Sequence, residues 1–170
     1  MRKQSFFAAF LALFLLLGTH LTAAAQATNK DLAASAAISP DHTTLLKALQ
    51  AAGLADKAKD KGPYTVFAPT NEAFEKLPAG TLDELLLPAS KAKLSGLLTY
   101  HVVAGSYKAA ALKDGQKLKT VTGETLTVKK QDGTVTITDA KGGSATVNKA
   151  DIQATNGVVH SIDAVLMPGK

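Results

Sequence analysis

The chain has 170 residues, a formal charge of +5 and no cysteine. The missing thiol excludes disulfides, thiolate metal sites, thiol catalysis and the lipid-attachment residue of a bacterial lipoprotein, so a buried core has to carry the fold. The positive balance does not point to nucleic acid: Arg2 is the single arginine, and the lysines stand singly among acids, as on a solvated face.

Arg2 and Lys3 precede an apolar run from Phe6 to Leu17 that ends at Gly18, the order of a secretory signal peptide. A membrane span needs about 20 apolar residues, more than this run supplies. Small-x-small triplets at Ala23-Ala24-Ala25 and Ala25-Gln26-Ala27 place cleavage after Ala25 or Ala27. The expectation is therefore a signal peptide over 1–27, export to a periplasm or the medium, and no membrane insertion after cleavage. Losing Arg2 and Lys3 lowers the formal +5 to +3. Residues 28–39 lack strong periodicity and read as a flexible or weakly helical lead-in, with the folded unit running from Pro40 to Pro168.

Asp41 is expected to cap a helix whose apolar stripe is Leu45, Leu49 and Ala52, ended by Gly53. Tyr64 to Ala68 is a β-branched and aromatic run closed by Pro69 and reads as a buried strand. Thr70 or Asn71 can cap a short helix carrying Phe74 and Leu77, and Thr81 with Glu84 has the spacing of a capping box. Ser90 opens a helix in which Leu94, Leu97 and Leu98 form one stripe. The second half changes period. Leu126, Val128, Val135 and Ile137 alternate with Thr or Lys around Gln131-Asp132-Gly133, a hairpin signal. Lys141-Gly142-Gly143 turns the chain into further extended segments over Ala145 to Asn148, Asp151 to Gln153 and Val158 to Leu166, with a bulge allowed at Val158-Val159. A helical half followed by antiparallel strands predicts one α+β domain.

Three motifs now become recognisable. Tyr64-Thr65-Val66-Phe67-Ala68-Pro69-Thr70-Asn71-Glu72-Ala73-Phe74 resembles the first signature box of fasciclin-like domains, and Asn156-Gly157-Val158-Val159-His160-Ser161-Ile162-Asp163-Ala164-Val165-Leu166 resembles the second. Tyr100-His101-Val102-Val103 between them is similar to the family's tyrosine–histidine motif. The resemblance spans 40–168 and implies a β-wedge of mostly antiparallel strands with a helical layer. It also implies a non-enzymatic adhesion or interaction module that binds a protein or polysaccharide at a cell surface, in a matrix or in a periplasm, without a cofactor. In animal relatives the tyrosine–histidine motif and residues near the second box are connected with integrin binding, which nominates Tyr100, His101 and Asp163 as partner-binding residues. Structural roles are expected for Gly157, where a side chain would clash, and for Phe67, Phe74, Ile162 and Leu166 in the core.

Other chemistries find little in the residues. His160, Ser161 and Asp163 contain the types of a hydrolytic triad, but neighbours on one strand point to opposite faces and do not converge. A zinc site needs three or four ligands, and no His-x-x-x-His or cysteine pair is present. His101 is expected to be buried and hydrogen-bonded, Tyr100 beside two valines to belong to the core, and His160 to be a solvated or hydrogen-bonded strand residue. The competing function is a carrier of a small apolar ligand held between helices and wedge.

Overall fold

The computed structural model describes residues 29–169; the expected signal peptide and its cleavage sites lie outside them. Helices come first: α1 (Leu32–Ala37), α2 (Thr43–Ala52), then strand β1 (Tyr64–Pro69), α3 (Asn71–Glu75), α4 (Thr81–Leu86) and α5 (Lys91–Tyr100). Strands follow: β2 (Val102–Ala104), β3 (Lys117–Lys119), β4 (Thr125–Gln131), β5 (Thr134–Thr138), β6 (Ser144–Ala154) and β7 (Gly157–Ile162). They form a seven-stranded sheet in the order β2-β1-β7-β6-β5-β4-β3. All neighbours are antiparallel except β1 and β7. A bridge between Val103 and Thr120 brings the two ends together, so the sheet curls almost into a barrel. This is the expected α+β architecture.

Two cores share the sheet. Alternation along β1 sends Phe67 inward with Tyr100, Leu126, Ile137 and Ile162, and sends Val66 and Ala68 outward toward Leu45, Leu94 and Leu98 of the helices. β7, between β1 and β6, is buried from Val158 to Ile162 on both faces, and its two polar residues, His160 and Ser161, are buried with hydrogen-bond partners. The bulge lies in its partner: register shifts occur between Val147, Lys149 and Ile152 of β6, beside Asp151 at φ 59°. The segments expected over 145–148 and 151–153 are thus one irregular strand. The β4–β5 turn has positive φ at both Asp132 and Gly133, the backbone of a hairpin turn that matches strand twist.

Three local expectations are corrected. Of the two readings of the lead-in the helical one holds for residues 32–37 and the flexible one does not: Asp31 caps α1 through Ala34 N at 2.7 Å, Leu32 and Ala33 are buried, and the Leu32 amide donates to Asn156 Oδ1 at 2.9 Å. Asp41 does not cap α2, because Pro40–His42 forms a 3-10 turn. Asn71 does that work from across the fold, accepting from Thr44 N at 3.0 Å and donating to Pro40 O at 2.9 Å, while Thr70 caps α3. Thr81 is the first residue of α4 rather than its cap, since Gly80 in the left-handed region starts that helix.

Candidate interaction surface and buried histidine network

Tyr100 ends α5 and His101 is its C-cap, so both sit where the helix meets the sheet. Tyr100 is 0% exposed, and its hydroxyl accepts a hydrogen bond from the Ala140 amide at 3.0 Å. Burial pushes its phenol up from the ordinary value. His101 is also buried. Its Nδ1 lies 2.8 Å from the Leu97 carbonyl and its Nε2 accepts from the Leu166 amide at 3.0 Å. A carbonyl on one side and an amide on the other assign the proton to Nδ1. Protonating Nε2 would set N–H against N–H, and burial holds the imidazole down to about 4. The pair therefore ties α5 to the turn after β5 and to the tail after β7, and presents no surface of its own.

Asp163 differs, with 35% of its side chain exposed. Its Oδ1 accepts from the Thr146 amide at 2.7 Å, and Lys76 Nζ donates to its carbonyl at 2.7 Å. It borders the sheet where β6 begins.

The other histidines also point inward. His160 stacks on Phe67 with ring centroids 5.6 Å apart, approaches Tyr107 O through Nε2 at 2.7 Å and accepts from Asp151 N at 3.2 Å. Ser161 faces the other way and meets His42 Nε2 at 3.0 Å, while His42 Nδ1 meets Ser39 Oγ at 2.7 Å. The structure thus keeps His160, Ser161 and Asp163 apart. It pairs the serine with a histidine 119 residues away, a contact with no local signal in the sequence. The trio Ser39, His42 and Ser161 lacks a carboxylate hydrogen-bonded to the imidazole, and Ser161 is 1% exposed. Among the described residues no three His, Asp or Glu side chains converge as a metal site would require.

The open surface lies on the other half of the sheet. Leu118, Leu126, Val128, Val135 and Ile137 are buried, so the alternate positions of β3, β4 and β5 face outward. Those positions are Lys117 and Lys119, then Thr125, Thr127 and Lys129, then Thr134, Thr136 and Thr138, of which the Thr138 hydroxyl is itself buried and without a hydrogen-bond partner among the described residues. Register sets Lys117 beside Thr127 and Thr127 beside Thr138, while Lys129 pairs with Thr136, which pairs with Thr146 of β6. The three strands together hold four lysines and no carboxylate. A row of hydroxyls with ammonium groups among them is a hydrogen-bonding surface of one sign of charge.

The Fasciclin domain family model matches residues 40–168. The chain belongs to the fasciclin-domain family. Protein sll1483 of a Synechocystis strain is 49% identical over 126 residues, covering 74% of this chain and 67% of that protein. The pig transforming growth factor-beta-induced protein ig-h3 is 41% identical over 124 residues, and this fasciclin domain spans only 17% of its length. A solved FAS1 domain pair from the insect cell adhesion molecule Fasciclin I shares the fold with a TM-score of 0.72 at 18% identity, covering 81% of this chain and 51% of that one. No helix among the described residues is long and apolar enough to cross a membrane.

Proposed function

We propose that this fasciclin domain works outside the cytoplasm as a non-enzymatic interaction module, binding an acidic protein or glycan surface through the outer face of β3, β4 and β5. The observation that carries the reading is that face itself: a continuous row of threonines with Lys117, Lys119 and Lys129 among them and no acid on the three strands. Ammonium groups and hydroxyls suit carboxylate- or sulfate-bearing partners, because each can make a charge-assisted hydrogen bond that a neutral surface does not offer. The family supports the broad role, since the structural neighbour is a cell adhesion molecule by name. Of the three residues nominated by the resemblance, Asp163 is the one with a partly exposed side chain, while His101 holds the tail that follows it and Tyr100 holds the turn after β5.

Cross-linking the folded protein in extracts of its own envelope and medium tests this. The unaltered protein is expected to retain an acidic partner, and Lys117→Glu/Lys119→Glu/Lys129→Glu to lose it while unfolding at the same denaturant midpoint. Equal retention by both proteins would refute the assigned face.

A further inference from the structure

A second feature lies on the opposite side of β1. Val66 sits mid-strand in β1, with β2 on one side and β7 on the other, under the helical layer, yet it is only half-buried. The reason is a cavity of about 500 Å3 between that face of β1 and helices α1 and α2. Small-molecule sites run from about 300 to about 1,000 Å3, so the space fits one ligand of modest size. Tyr64, Val66 and Ala68 line it along one face of the strand, and Leu45, Leu49 and Ile152 line it as well. Ile38 and Val121, two of the three large exposed hydrophobics among the described residues, also line it, at 56% and 46% exposure. Apolar side chains held out in water at the lining of an apolar cavity are a cost that an apolar occupant removes.

The polar lining decides the ligand's charge. His42 has both ring nitrogens engaged by Ser39 and Ser161, and His101 both by Leu97 and Leu166. The Thr99 hydroxyl donates to Ser95 O at 2.8 Å. Lys149 and Asp41 pair with each other at 2.6 Å. Lys57 and Asp60 stand exposed in water with opposite signs, favouring neither an anion nor a cation. A charged head drawn into the interior of this space would lose its hydration and find the buried polar groups already paired, with Lys57 and Asp60 only at the exposed rim.

We propose that the cavity between β1 and helices α1 and α2 is a binding site for a small uncharged apolar molecule, of the class of a long-chain alcohol or a fused-ring hydrocarbon. This site is independent of the lysine–threonine face. The test uses two dyes that differ by one sulfonate: uncharged N-phenyl-1-naphthylamine and anionic 1-anilinonaphthalene-8-sulfonate. The neutral dye binds saturably at one per chain and is displaced by 1-dodecanol, while the sulfonate binds at least about tenfold more weakly. Ala36→Trp and Ala58→Trp place bulk at two lining positions that are not fully buried. Each is expected to weaken the neutral dye about tenfold or more without changing the circular dichroism or the unfolding midpoint. No saturable binding, equal affinity for the sulfonate, or binding that survives both plugs in folded protein would overturn the proposal.

Discussion

The imidazole of His101 makes the fold sensitive to acid, and the size of the effect follows from its surroundings. In the unfolded chain this histidine titrates near the ordinary 6.5, whereas in the folded protein burial holds it down to about 4. As pH falls below 6.5 the unfolded state takes up the proton first, so stability is complete above that value and drains away as pH drops toward 4. The gap is worth about 3 kcal/mol at the bottom of the window, and the slope from this one group is at most about 1.4 kcal/mol per pH unit. Domains of this size have only about 5–15 kcal/mol in total. Burial lowers His42 and His160 as well, and their contributions carry the same sign. The assay is urea unfolding from about pH 7 to about pH 4.5 on the unaltered protein and on His101→Gln, which keeps an acceptor and a donor but does not titrate. Carboxylates affect both proteins alike, so the difference between the curves isolates His101. The variant is expected to be less stable at neutral pH but to lose stability less steeply, by up to about 1.4 kcal/mol per unit in mid-window. Parallel curves would refute the assignment of a buried neutral imidazole.

Three further expectations concern the signature residues. A Cβ on Gly157 would lie 2.1 Å from the Tyr64 carbonyl oxygen, where β1 and β7 begin to pair; Gly157→Ala should cost at least about 2 kcal/mol by denaturant unfolding. Phe67 is 0% exposed and stacks on His160, so Phe67→Ala should lose about 3–5 kcal/mol. Tyr100→Phe keeps the ring and removes only the acceptor of the Ala140 amide. It should cost about 1 kcal/mol in the same assay and speed hydrogen exchange at Ala140.

What could be read from the sequence was what is settled locally. The stripe Leu94, Leu97, Leu98 and the alternation Leu126, Val128, Val135, Ile137 declare their faces within a few residues, and all seven are buried. The tyrosine and histidine after that stripe were legible as internal groups because they sit among apolar neighbours. Elements that depend on distant partners were not legible. Helix α1 has no periodicity of its own and is held by Leu32 in the core and by Asn156, 124 residues on. The cap of α2 comes from Asn71 rather than from Asp41, which is drawn to Lys149. A spacing suited to a capping box failed at Thr81 because Gly80 already supplies the turn into the helix. The parallel pairing of β1 with β7 sets Phe67 beside His160, and no local pattern reports it. The cavity is further removed still, being a space between two helices and a strand whose lining comes from distant parts of the chain. The lysine–threonine face was visible as the polar half of an alternation, and only the strand register made it a continuous surface.

The central claim, that the outer face of β3, β4 and β5 is the contact surface, is tested most directly by mapping amide chemical shifts as the captured partner is added to the labelled protein. The account predicts shifts concentrated at Lys117, Thr127, Lys129, Thr136 and Thr146, fading as salt is raised. Shifts confined to the helical side, with this face silent, would contradict it.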